Sequence, residues 1–310
     1  MRAARIDRYG GPEVLAVVDD APVPEPAPGQ VRVEVHASSI NPADVAIRNG
    51  WMQQFLPLAL PIVLGSDVAG VVSAVGGDVA GLSVGDPVYG VAGVAMGGSG
   101  AFAEYAITSP SMLGAPPEGV GMAAAATLPL AGVSALQALV EDGDVRSGTR
   151  VLVHGASGGV GLTAIELARH LGAFVVATAR GAGLSAVAEA GADEVVDTDS
   201  TDVGSLPAFD VTLDLVGADP GMVVHITRAG GRVVGLRGAP DADVASAKGV
   251  TAVRQGTSVT TERLERLADL IEQGATRPHV SQSATLGDIA RAFALKETGG
   301  LPGKIAVTLR

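Results

Sequence analysis

The run Val151-Leu152-Val153-His154-Gly155-Ala156-Ser157-Gly158-Gly159-Val160-Gly161 restricts what this chain can fold into more than any other segment. Three apolar residues, two of them β-branched, make a short buried strand. Leu162, Ile165, Ala168 and Leu171 then recur at helical spacing until Gly172, which stops the helix. Between strand and helix lies a turn of residues with little or no side chain. Such an arrangement is an anion site. Free N–H groups and the positive end of the helix dipole converge there, and glycine lets a pyrophosphate approach the main chain. Gly155, Gly158 and Gly161 sit between that strand and that helix, the context a dinucleotide-binding turn demands, and Ser157, Gly159 and Val160 complete the same turn. A glycine triplet alone carries little; one set between a strand and a helix predicts dinucleotide binding.

From about Met122 onward, strand and helix patterns alternate. Met122–Leu128 and Val133–Val140 read as helices, Arg150–Val153 as the first strand, Gly161–Leu171 as a helix, Ala173–Thr178 as a strand and Leu184–Ala190 as a helix. Glu194–Val196, Val211–Leu215 and Gly231–Leu236 follow as strands. This order predicts an α/β fold with a doubly wound parallel sheet. The first third differs. Met1–Asp7, Val14–Val18, Val31–Ala37 and Gly70–Val75 are short Val- and Ile-containing runs separated by proline and glycine clusters. Valines and Leu82 between Val68 and Val84 alternate with small or polar residues, which suits strands of a compact barrel. Near the end, Thr261–Gln273 reads as an amphipathic helix, Asp288–Lys296 as a second helix and Lys304–Arg310 as a closing strand. That strand has no neighbour in sequence to pair with and is expected to return to the N-terminal barrel. The chain therefore divides into a barrel-like unit of residues 1–119 completed by 257–310, and a nucleotide-binding unit of residues 120–256.

Composition excludes other classes. With 21 basic and 33 acidic residues the net charge is −12, and no basic cluster offers a surface to nucleic acid or an anionic membrane. There are no cysteines, so no disulfide or thiolate metal site forms, and the five histidines (His36, His154, His170, His225, His279) lack the short spacings of metal ligands. No metal is expected. Residues 1–20 carry charges throughout, unlike a secretory signal, and the apolar segments around 122–140 are interrupted by Pro129 and Gly132. The expected location is cytoplasmic.

The second strand of such a sheet ends beside the adenosine ribose, where an acid selects NAD and a basic residue accommodates the 2′-phosphate of NADP. Here Thr178 and Ala179 lead into Arg180, and the next acid, Glu189, lies inside the following helix. The planar guanidinium of Arg180 suits a phosphate, so NADPH is the expected cofactor.

Further segments carry a family resemblance. They are Asn41-Pro42-Ala43-Asp44, Leu64-Gly65-Ser66-Asp67-Val68-Ala69-Gly70, Val84-Gly85-Asp86-Pro87-Val88-Tyr89-Gly90, Ala101-Phe102-Ala103-Glu104-Tyr105, Thr127-Leu128-Pro129-Leu130-Ala131-Gly132 and Gly303-Lys304-Ile305-Ala306. With the glycine turn, they make the chain resemble, almost end to end, a zinc-independent medium-chain dehydrogenase/reductase of the quinone oxidoreductase branch. The resemblance implies an α/β fold in which a Rossmann doubly wound parallel sheet joins a GroES-like β-barrel catalytic domain. It places the nicotinamide in the cleft between them. Asn41 and Thr127 would lie near its reactive end, Gly158, Gly159 and Val160 near the pyrophosphate, Arg180 near the 2′-phosphate, and Val216, Gly217, Gly235 and Leu236 along the cleft. Zinc-dependent relatives have a cysteine at the place of Asn41 and a His-Glu pair at that of Ser66-Asp67. Without such ligands, hydride release from a simple alcohol lacks its Lewis acid, whereas a quinone or an α,β-unsaturated carbonyl delocalises the anion it forms.

Asn41 either hydrogen-bonds the substrate carbonyl or nicotinamide ribose, or merely shapes an Asn-Pro turn. Asp44 is expected to cap the following helix. Related enoyl reductases often carry a tyrosine after the Asn-Pro segment as a proton source. Here the stretch Ile47–Gln53 has none, which leaves protonation to solvent. Trp51, Met52 and Phe55 either wall an apolar substrate pocket or pack their own loop. A tyrosine that often accompanies NADPH binding is replaced by Thr198. The expected activity is metal-free hydride transfer from NADPH to a quinone or enone, catalysed mainly by holding the reacting atoms about 3–3.5 Å apart. The alternatives are an enoyl-thioester reductase and a non-catalytic NADPH-binding protein of the same fold. Relatives are often homodimers or homotetramers, and Val250–Gln255 is the candidate pairing segment.

Overall fold

The computed structural model covers residues 1–310 and distributes its strands over three sheets. Around the glycine turn lies a six-stranded parallel sheet. Its spatial order is Glu194–Asp197, Phe174–Ala179, Arg150–His154, Phe209–Asp214, Thr227–Gly235, Thr251–Arg254. Numbered along the chain this is 3-2-1-4-5-6, so the winding reverses between Arg150–His154 and Phe209–Asp214. The crevice beyond the carboxyl ends of those two strands is where such sheets bind ligands. The sheet is apolar on both faces because helices cover both. Val151, Val153, Val175 and Leu213 pack with Leu162, Ile165 and Ala168 of the helix Gly159–His170, while Leu152, Val176 and Phe209 pack with Ile226 on the other side.

The second sheet wraps the N-terminal third. Val31–Ser39 pairs antiparallel with Asp67–Val75, Tyr105–Thr108 and the C-terminal Lys304–Thr308. Ala306 stands opposite Ser39, so the closing strand does return to the barrel. Pro87–Val91, Leu113–Gly114 and Val280–Thr285 complete the sheet. A small third sheet sets Ala3–Ile6 between Leu15–Val18 and Ile62–Val63.

Two readings change, and one strand has no signal in the sequence. The alternation after Val68 yields one strand, Asp67–Val75, and ends at Gly76-Gly77-Asp78, where Asp78 adopts φ 62. Val79 and Leu82 pack against the barrel core from a loop, and Val84 is 63% exposed. The helix read from Val133 begins at Pro129 and runs on through a π-helical turn, Gln137–Asp142. Proline at the first helical position loses no hydrogen bond, so Pro129 starts a helix instead of interrupting one. Val280–Thr285, largely polar and exposed, forms a strand through its main chain, without a hydrophobic pattern to announce it. No helix is long and apolar enough to cross a membrane.

Candidate functional site

The strand Arg150–His154 delivers the glycine turn to the crevice, and the helix Gly159–His170 leaves from it. Gly158 is the helix N-cap and no side chain caps it, so the N–H groups of the first turn are left for a ligand. The glycines of the turn have different reasons to be there. Gly155 adopts φ +79, where a Cβ is strained, and a Cβ on Gly161 would lie 2.3 Å from the Ala156 carbonyl oxygen. A Cβ on Gly158 would meet no protein atom within 4 Å. The space beside Gly158 is open, so a group the size of a phosphate can approach the main chain there.

Thr178 braces the turn from the neighbouring strand. Its buried hydroxyl accepts the Gly155 N–H at 2.9 Å and lies 2.8 Å from His154 Nδ1. Burial holds the His154 imidazole below its ordinary range, against the opposing pull of the Asp214 carboxylate. Ala179 ends that strand buried, and Arg180 follows exposed, without an ion pair. Across the reversal, Asp214 Oδ1 accepts the N–H groups of Val216 and Gly217 at 2.9 and 3.0 Å. That loop packs Val216 against Gly155. Gly235 ends the next strand, and the Leu236 N–H donates to the Asp214 carbonyl at 3.0 Å. Gly155, Ser157–Gly161, Val216, Gly217, Gly235 and Leu236 thus gather at one edge of the sheet.

Facing this edge is a buried polar cluster from the barrel. Asn41 is 3% exposed and Asp67 is fully buried. Asp67 Oδ2 accepts from Ser39 Oγ at 2.5 Å, Asn41 Nδ2 at 2.8 Å and Lys304 Nζ at 3.1 Å. Lys304 Nζ also donates to Asn41 Oδ1. Asp67 Oδ1 accepts the Leu130 N–H at 2.9 Å, capping from the barrel a helix, Pro129–Leu136, that has no side-chain cap of its own. Thr127, just before that helix, is 3% exposed and donates its hydroxyl to the Ala124 carbonyl at 2.7 Å, which leaves its lone pairs for a donor on a ligand. Asp44 does cap: its Oδ2 accepts the Asn41 N–H at 2.8 Å and its Oδ1 the Ser66 hydroxyl at 2.9 Å. Burial raises the Asp44 carboxyl to about 6.

Cluster and turn touch. The Gly303 N–H donates to the Ser157 carbonyl at 2.7 Å, and Gly158 and Gly303 form a parallel bridge. Trp51, Met52 and Phe55 are not brought together. Trp51 is 70% and Phe55 85% exposed, whereas Met52 packs on the barrel core. The turn after the helix Pro42–Arg48 projects these two rings outward. Sequence reasoning gave no role to Lys304 or Asp67. The available signal was a charge inside an otherwise apolar terminal strand, Lys304-Ile305-Ala306-Val307. No group of three or more His, Asp or Glu side chains is arranged to hold a metal ion.

A family model described as the alcohol dehydrogenase GroES-like domain matches residues 27–118, and one described as zinc-binding dehydrogenase matches residues 190–307. A quinone oxidoreductase of Rattus norvegicus is 33% identical over 330 residues, covering 100% of this chain and 98% of that one. An NADPH-dependent alkenal/one oxidoreductase of Arabidopsis thaliana is 35% identical over 318 residues, covering 99% of this chain and 79% of that one. Among solved structures, the quinone oxidoreductase of Coxiella burnetii superposes with a TM-score of 0.92 at 33% identity, covering 100% of this chain and 99% of that one.

Proposed function

This chain belongs to the quinone oxidoreductase family of medium-chain dehydrogenases and reductases, and on that premise we propose that it transfers hydride from NADPH to a quinone or an activated α,β-unsaturated carbonyl without a metal. The observation that carries the reading is the contact between the open glycine turn and the Asn41–Asp67–Lys304 cluster, made by Lys304 over Gly159 and by the Gly158–Gly303 bridge. When bound, NADPH supplies the hydride from its nicotinamide ring.

The turn Gly155–Gly161 holds the pyrophosphate through main-chain N–H groups, and Gly158 leaves room for it. Arg180, at the end of the strand that carries Thr178 and Ala179, neutralises the 2′-phosphate. Val216, Gly217, Gly235 and Leu236 line the path to the reactive end. There Thr127 accepts a hydrogen bond from the carboxamide, and Asn41 offers the free lone pair of an amide oxygen. Both Asn41 N–H groups point at protein acceptors, Asp67 Oδ2 and, more distantly, the Ser39 carbonyl. A ribose hydroxyl therefore suits Asn41 better than a substrate carbonyl does. Positioning, rather than acid–base chemistry, is the residues' main contribution. Asn41, Ser66 and Asp67 are hydrogen-bonded to protein groups, and an amide and a hydroxyl make a poor zinc site, which supports a metal-free reaction. The units proposed are residues 1–119 with 257–310 for the catalytic part and 120–256 for the nucleotide part.

NADPH oxidation measured against benzoquinones, naphthoquinones and enones tests the proposal. Turnover with at least one class is expected. No turnover with any of them, or a stoichiometric zinc requirement by elemental analysis, overturns it.

A further inference from the structure

We propose that Lys304 is a positioning residue for this reaction: it fixes which end of the Asn41 amide faces the cofactor. The proposal rests on the functional reading above and goes beyond it to a residue at the far end of the chain. The side chain of Lys304 is 5% exposed and that of its partner Asp67 is fully buried. Taking both charges out of water is costly. Buried ion pairs are often matched or bettered in stability by apolar residues of similar size, so stability alone is a weak reason for this one.

Its geometry supplies a better reason. An amide has two ends of nearly equal size and opposite hydrogen-bonding sense. Lys304 Nζ, which only donates, meets Asn41 Oδ1, while Asp67 Oδ2, which only accepts, meets Asn41 Nδ2 at 2.8 Å. Turning the amide over would set NH2 against the ammonium and oxygen against the carboxylate. One orientation survives, and it presents oxygen rather than nitrogen for further bonding.

Lys304 is itself held by the nucleotide turn. A Cβ on Gly159 would lie 2.7 Å from Lys304 Cγ, so the lysine stem passes directly over a glycine of the turn. The preceding residue is tied to that turn through the Gly303 N–H and the Ser157 carbonyl. The seat of the pyrophosphate and the Asn41 amide are thereby indexed to the same side chain.

The test is a double-variant cycle of N41A and K304M, read by kcat and KM for NADPH with a naphthoquinone acceptor. Adenosine 2′,5′-bisphosphate binding monitors the half of the nucleotide site that does not reach Asn41. K304M is expected to lower kcat/KM by about tenfold or more while the bisphosphate Kd stays within about twofold of native. Because Lys304 acts through Asn41, K304M should add little to the loss already caused by N41A. A lysine that only held the fold would lower unfolding free energy and weaken bisphosphate binding together with kcat/KM, instead of a loss confined to kcat/KM. Native kinetics in K304M, or additivity in the cycle, overturns the proposal. Where K304M fails to fold, K304Q keeps a donor near Asp67 and the same cycle decides. An unaltered protein that binds neither NADPH nor the bisphosphate overturns the functional reading and this proposal with it. Native turnover combined with additive losses overturns the proposal alone.

Discussion

Gly158 and Gly161 sit three residues apart in one turn and answer to different constraints. A Cβ on Gly161 would collide with the Ala156 backbone, whereas Gly158 has φ −85 and open space beside it. Gly161→Ala is therefore expected to lower unfolding free energy by about 1–3 kcal/mol. Gly158→Ala should cost about 1 kcal/mol, because alanine is a poorer N-cap than glycine but meets no neighbouring atom there. Its NADPH affinity should nonetheless fall by about tenfold or more, since the new methyl occupies the seat of the pyrophosphate. Denaturant unfolding and calorimetric titration separate the two effects. Arg180→Ala should raise KM for NADPH by about tenfold, the size of one lost charge-assisted hydrogen bond, and leave KM for NADH unchanged. Equal effects on both cofactors would remove Arg180 from the 2′-phosphate. These residues were legible because strand, turn and helix N-terminus are neighbours along the chain. Trp51 and Phe55 show the opposite limit: their apolar character was visible, but the direction of their turn was not.

At the scale of elements, the helix Pro42–Arg48 shows how a local cap becomes a pH-sensitive contact. Asp44 reaches back to the Asn41 N–H as a carboxylate three residues into a helix should, yet its site is buried, and desolvation raises its carboxyl to about 6. An unfolded aspartate titrates near ~3.9. Between about pH 4 and pH 6 the folded chain keeps a proton that the unfolded chain has released, so stability falls as pH rises through that window. The change at this one site is on the order of 2–3 kcal/mol. Urea unfolding of native protein and Asp44→Asn across pH 4 to 7 checks it. The stability difference between the two should shift by that amount in favour of the variant as pH rises, and a flat difference would refute the assignment. The helix Pro129–Leu136 depends on a more distant partner, because Asp67 in the barrel caps it. Its start at Pro129 is hidden from local pattern because proline usually interrupts helices, yet first-turn N–H groups need no intrahelical partner.

Assembly turns on one edge of the parallel sheet. Thr251–Arg254 is bonded on one side only, to Thr227–Gly235. An unpaired edge invites pairing with a second copy, and we propose that the chain forms a homodimer, or a tetramer built from such dimers, through this strand. Light scattering should return a multiple of the 30.8 kDa chain mass. Amide hydrogen exchange should be slow across residues 251–254. A monomeric mass, or rapid exchange of all four amides, would exclude pairing there.

The doubly wound sheet, the glycine turn and the return of the last strand to the barrel are written in local sequence. Each follows from short-range patterns: apolar spacing, glycine between strand and helix, and a strand with no local partner. Folding in three dimensions was needed to bring Lys304 to Asn41 across 263 positions of chain, to set Asp67 as the cap of a helix it does not belong to, and to turn Trp51 and Phe55 toward solvent. The reason is physical. Helix and strand preferences depend on neighbours along the chain, whereas a buried charge is stable only beside a partner of opposite sense, and the fold alone brings that partner near.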